Sequence, residues 1–143
     1  MTIAHVLAAR NQSAVLTAAA DMTVHQVATI LAEHRIGAVP VMEGERIAGI
    51  FSERDVLYCL AKTGASALDR PVCEVMTSPA ITVSPETTIL EALSLMTRRR
   101  IRHLPVTTAD AMIGLVSIGD LVKHRIDSIE REAEAMRSYI QAV

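Results

Sequence analysis

The strongest constraint on this chain is that it repeats itself. Pro40-Val41 recurs as Pro105-Val106, Gly49 as Gly114, Ser52 as Ser117 and Asp55 as Asp120, every pair 65 positions apart. Arg35-Ile36 and Arg100-Ile101 obey the same offset. Weaker pairs are chemically alike: Val24 with Ile89, Leu31 with Met96, Ile50 with Leu115, Phe51 with Val116. A chance offset does not preserve Pro, Gly, Ser and Asp together, so one supersecondary unit has been duplicated. A unit of about 50 residues is marginal alone. The two copies are therefore expected to pack sheet against sheet, with pseudo-two-fold symmetry.

Within each copy the hydrophobic period names the elements. Val24, Val27, Ala28, Ile30 and Leu31 form a helical stripe running to about Arg35, and Ile89, Ala92, Leu93 and Met96 repeat it. Thr23 and Thr88 stand where N-caps belong, and Pro85 marks the approach to the second helix. Val39 to Met42 and Ile47 to Phe51 read as strands joined by a Glu43-Gly44-Glu45 turn; His103 to Thr107 and Met112 to Ser117 are their counterparts. A short strand is expected before each first helix, at Val15-Leu16-Thr17 and at Ile81-Thr82-Val83. Second helices open at Glu53 and Ile118. The expected fold is α/β: two β-α-β-β-α repeats plus a long C-terminal helix. Its divisions are 1–62 with a short N-terminal helix, a 63–71 linker, 72–126, and a helical extension over 127–143.

Composition excludes several functions. Phe51, Tyr58 and Tyr139 are the whole aromatic set, too few for a base-stacking surface. A net charge of -2 leaves no basic footprint for a nucleic-acid backbone. Cys59 and Cys73 lack CxxC spacing and read as buried thiols in a reducing compartment. No apolar run nears the ~20 residues that span a bilayer, and Met1 to His5 has no basic start, so a soluble cytoplasmic protein with no membrane partner is expected. The five histidines are scattered, and HExxH, GxSxG, P-loop and GxGxxG motifs are absent. Cys73 near Thr77 has no evident base. Catalysis and a metal site are not expected.

Gly-Ile-Phe-Ser-Glu-Arg-Asp (Gly49 to Asp55) and Gly-Leu-Val-Ser-Ile-Gly-Asp (Gly114 to Asp120) resemble the signature of the cystathionine-β-synthase (CBS) domain family. Arg35 to Val41, Arg100 to Val106, and Val75-Met76-Thr77-Ser78-Pro79 at the start of a repeat fit the same family. The resemblance runs from about Val6 to Ile126, as a stand-alone tandem pair. The first copy departs at Arg10 to Ala14, which lacks Met-Thr-x-Pro. The resemblance implies a non-catalytic sensor of adenosyl ligands: AMP, ADP, ATP, NAD or S-adenosylmethionine, each a regulatory ligand rather than a required cofactor. Carried over residue by residue, one cleft uses Ile50, Ser52, Arg54 and Asp55 with Ala80, Ile81, Ile101, Arg102 and His103. The other uses Leu115, Ser117 and Asp120 with Val15, Leu16, Ile36, Gly37 and Ala38.

The residue chemistry suits that reading. Asp55 or Asp120 can accept from both ribose hydroxyls. Ser52 and Ser117 open helices whose N–H groups and dipole favour phosphate. Ile81 and Ile101 can sandwich an adenine, and Arg54, Arg102 and His103 can neutralise phosphates. The competing reading is structural, since Ser-x-x-Asp before an apolar run is also a capping box. Arg98-Arg99-Arg100 closes a helix, where cations suit the negative dipole end. The second cleft has Gly37 and Ala38 where the first has Arg102 and His103, and Gly119 for Arg54. Unequal sites are expected, the first preferring more phosphates and the second taking AMP or staying empty.

After Asp120 a heptad seam continues through Val122, Ile126, Ile129, Ala133, Met136, Ile140 and Val143. Asp127 with Arg131 and Glu134 with Arg137 can support its outer face. The seam should pack on the N-terminal helix carrying Ile3, Val6 and Leu7, or on a second subunit; a homodimer is favoured. Any output must pass to a separate effector protein. The alternative is a structural dimerisation module whose nucleotide sites are dead.

Overall fold

The computed structural model describes residues 1–10 and 15–142. Four residues of the stretch where the first copy departs, 11–14, and Val143 of the seam lie outside them. In chain order the elements are α1 (Ile3–Ala8), β1 (Ala18–Ala19), α2 (Val24–His34), β2 (Ala38–Glu43), β3 (Arg46–Ser52), α3 (Glu53–Thr63), α4 (Ile89–Arg99), β4 (His103–Thr108), β5 (Ala111–Ser117) and α5 (Ile118–Ala142). β1 lies parallel to β2, and β2 pairs antiparallel with β3. β4 and β5 form the second hairpin, with a register shift at Val106/Thr107 that matches the one at Val41/Met42. β3 and β5 meet across the repeat boundary, so the two sheets pack as expected.

The helix starts follow from their caps. Thr23 Oγ1 accepts from the Gln26 N–H while the Gln26 side chain returns to the Thr23 N–H, and Thr88 with Glu91 repeats this. Each such cap contributes about 1 kcal/mol. Both helices end on an arginine in the left-handed region, Arg35 (φ 52°) and Arg100 (φ 55°), rather than the usual glycine.

The core is duplicated with the same offset. Ala18, Val24, Val27, Leu31, Val39, Val41 and Phe51 fill the first repeat; Val83, Ile89, Ala92, Met96, Leu104, Val106 and Val116 occupy the equivalent places in the second. What completes each core is exchanged. Ala67 and Val72, from two 3-10 turns at Gly64–Asp69 and Val72–Glu74 that lead into the second repeat, are buried in the first. Ile3 and Val6 of α1, which leads into the first repeat, are fully buried in the second. The hydrogen bonds correspond: the Val24 N–H donates to Arg70 O at 2.9 Å, and the Ile89 N–H to Met1 O at 3.2 Å.

Three expectations are corrected. The N-terminal helix belongs by packing to the second repeat. The first strand falls at Ala18–Ala19 rather than at Val15 to Thr17, and Ile81 to Val83 contributes a single bridge, Val83 to Val106. The segment between the repeats, 63–71, is largely 3-10 turn, and its Ala67 adds to the first core. Of the two thiols, Cys59 is buried but Cys73 is exposed. Sequence periodicity misses the place of α1 and the strand bounds because each depends on a partner distant in the chain.

The repeated glycines mark where the lead-in segments press on the sheets. A Cβ on Gly49 would stand 2.6 Å from the Thr77 carbonyl oxygen and 2.8 Å from Met76 Sδ; one on Gly114 would stand 2.8 Å from Leu7 Cδ2. Backbone yields less than the end of a leucine. Gly49→Ala is therefore expected to destabilise by about 1–3 kcal/mol and Gly114→Ala by less, as denaturant unfolding of the two variants would report.

Candidate functional site

The first cleft is assembled by the packing of the two repeats. It encloses about 570 Å³ and is lined by Ile50, Ser52, Arg54 and Asp55 from one repeat and Ala80, Ile81, Ile101, Arg102 and His103 from the other. All nine residues expected there lie together. Asp55 is placed by the start of α3: its Oδ2 accepts from the Ser52 N–H (2.9 Å) and Ser52 Oγ (3.1 Å), and its Oδ1 from Thr77 Oγ1 (3.1 Å). A carboxylate has about four acceptor positions, so capacity remains on the cleft side. The Asp55 N–H donates to Ser52 Oγ, completing a capping box. The Glu53 N–H is already taken by Gly37 O at 3.0 Å. That leaves the Arg54 N–H as the first-turn donor not engaged by these contacts.

Cations ring the cleft. Arg54 reaches from α3 to Arg100 O at 3.4 Å, tying the two repeats together. Arg99 and Arg100 also line the wall, although the sequence reading placed the arginine run at a solvated helix end. The helix does end there, but the left-handed Arg100 turns the chain along the cleft. His103 lies against the Gly37 backbone, where a Cβ would meet its Cε1 at 3.2 Å. Burial pushes its imidazole below the ordinary value; Asp120 and Glu53 pull upward and Arg102 downward, and the net shift is down. His103 is therefore neutral at pH 7, and the arginines carry the positive charge.

Leu57, Tyr58, Thr77, Pro79 and Glu53 complete the lining. Arg54, Leu57 and Tyr58 have i, i+3, i+4 spacing on α3, a signal that could have found the last two. Gly37 and Ala38 were expected in the second cleft but line the first, because the β2 start packs against His103.

The second cleft differs in kind. Ser117 and Asp120 repeat the cap, with the Ser117 N–H donating to Asp120 Oδ2 at 2.8 Å and the Asp120 N–H to Ser117 Oγ at 3.2 Å. Arg10 then reaches in from the end of α1 and donates both to the Asp120 carboxylate and to Leu115 O. Burial pushes the Asp120 carboxyl up, but the hydrogen bonds from Arg10 and Ser117 and the Arg10 charge outweigh it, and the net shift is below the usual range. Arg10 holds the place that Thr77 has in the first cleft, where the Ile50 N–H donates to Thr77 O at 2.9 Å and the Thr77 N–H to Ile50 O at 2.8 Å. The residues expected in this cleft include no cation, and Arg10 is one. Ile36 packs on the first core, while Val15 precedes β1 and Leu16 is exposed.

Among the described residues no group of His, Cys, Asp and Glu is arranged to hold a metal ion, and no helix is long and apolar enough to cross a membrane.

Comparison with known proteins agrees with this architecture. The CBS domain profile matches residues 11–62 and 72–127. The chain is 38% identical over 148 residues to the CBS domain-containing protein CBSX3, mitochondrial, of Arabidopsis thaliana, spanning 98% of this chain and 72% of that protein. Its fold matches the CBS-domain containing protein ATU1752 from Agrobacterium tumefaciens with a TM-score of 0.82 and 32% identity, over 87% of this chain and 99% of that one. CBSX2 in complex with AMP shares the fold alone: TM-score 0.75, 21% identity, 88% and 96% of the two chains. With both repeats matched and their packing shared, the chain belongs to the CBS-domain family.

Proposed function

We propose that this protein is a non-catalytic regulatory module that senses an adenosyl ligand in its first cleft and passes the signal, as a homodimer, to a separate effector. The observation that carries this is one cleft holding three chemistries together. Ile50, Ile81 and Ile101 offer apolar faces for a purine, Asp55 an acceptor for ribose hydroxyls, and Arg54, Arg99, Arg100 and Arg102 charge for phosphates. The AMP held by a fold relative supports the same reading. Four arginines favour a ligand with two or three phosphates, such as ADP or ATP, over AMP.

The second cleft is read as self-occupied. Arg10 already pairs with Asp120 Oδ2 and takes the Leu115 carbonyl, so a nucleoside would have to displace a cation to use either. In titrations with ATP and AMP, Asp55→Ala should weaken binding about 10- to 100-fold, the worth of charge-assisted hydrogen bonds, while Asp120→Ala changes it little. Arg10→Ala should add a second, weaker binding event. Equal losses from both aspartate variants would count against unequal clefts.

His103 gives the binding a defined pH dependence. A phosphate beside a neutral imidazole raises its pKa, so the complex takes up a proton that free protein lacks. Affinity should rise as pH falls through the range below about 6.5, and His103→Asn should flatten that dependence in calorimetric titrations at several pH values.

A second reading, a dimerisation module with dead sites, draws on Arg10 closing one cleft. Thermal melting with AMP, ATP, NAD and S-adenosylmethionine separates the two. A ligand at ~100 times its dissociation constant adds about 2.7 kcal/mol, and no shift with any of the four would favour the structural module.

A further inference from the structure

The last helix is longer than the repeat needs, and among the described residues its second half contributes no buried side chain. In α5 only Leu121 is fully buried; every residue from Ile129 to Ala142 is exposed, a projection of about 21 Å. Helices of this length are marginal in water without a packed face. The unpacked face is the heptad seam: Val122, Ile126, Ile129, Met136 and Ile140 are 41 to 66% exposed, with Ala133 between them. α1, the intramolecular candidate to cover it, is committed to the second core, where Ile3 and Val6 share a cluster with Leu121 of α5.

We propose that the seam is covered by the same helix of a second copy, in a parallel, in-register, two-stranded coil. The flanking charges choose both the occupant and the direction. Taking Ile126, Ala133 and Ile140 as the a positions puts Arg125 and Glu132 at g and Lys123, Glu130 and Arg137 at e. In a parallel pair each g residue faces the e residue five positions on in the other copy. Arg125 then meets Glu130 and Glu132 meets Arg137, both attractive and both made twice by symmetry. An antiparallel pair with full overlap sets Glu130 against Glu130, Glu132 against Glu132 and Lys123 against Arg137. Antiparallel registers shifted by one heptad restore attraction but leave either Val122 and Ile126 or Met136 and Ile140 uncovered. Only the parallel register covers the whole seam and matches its charges. The existing Glu134–Arg137 contact, 2.9 Å and largely exposed, is on the water side and exchanges readily.

This deepens the self-association included in the proposed function and uses nothing of the nucleotide clefts, so it is tested on the ligand-free full chain. Light scattering should show a dimer, and Ala133→Glu, a change at an exposed position, should yield a folded monomer. Ile140→Cys in a Cys73→Ser background should oxidise to a disulfide-linked dimer, because parallel strands bring position 140 beside itself and antiparallel ones hold the copies more than about 15 Å apart there. A monomeric wild type, a dimer untouched by Ala133→Glu, or loss of the dimer by that variant without cross-linking at position 140 would each overturn the proposal.

Discussion

The structure depends on an exchange. Each repeat lacks part of its own core, and the missing apolar side chains arrive on the segment that leads into the other repeat. Val72 and Ala67 close the first core, and Ile3 and Val6 close the second. Burying a side chain of this size stabilises by about 1.5–3 kcal/mol, so separating the repeats would uncover both cores at once. Two units too small to stand alone thus become one cooperative body, and the clefts between them are held to a fixed width.

The same exchange makes the clefts unequal. After each lead-in segment crosses, its next residues reach the Ser-x-x-Asp motif of the repeat it has joined. At Asp55 the arrival is Thr77, a neutral hydroxyl that donates one hydrogen bond and brings no counter-charge. At Asp120 it is Arg10, a cation that also takes Leu115 O. Identical motifs at identical helix starts acquire different electrostatics from one residue outside the motif. The arginines at the end of α4 add to the contrast, since Arg99 and Arg100 face the first cleft.

Much of this was legible. The strand pairs, the caps at Thr23 and Thr88 and both Ser-x-x-Asp helix starts follow from local periodicity and the repeat; the nine residues of the first cleft follow from the family resemblance, and the structure brings those nine together. The heptad seam was visible in the same way. The misses share a cause. The place of α1, Gly37 and Ala38 along the first cleft, and Arg10 in the second cleft all concern residues whose partners lie 65 or more positions away. Local pattern has no access to such pairings, and an offset comparison passes over segments that are not themselves alike.

The amino-acid sequence alone therefore determined the duplicated frame, because apolar period, capping chemistry and turn residues act within a few positions of one another. It also set the two chemistries available to a ligand, the Asp carboxylates and the arginines. Only the tertiary structure decided how these are distributed. Which core receives Ile3 and Val6, which carboxylate meets Arg10, and which side chains face one cleft are settled when two incomplete cores close on each other's lead-in segments, a contest of packing that no single stretch of the chain encodes.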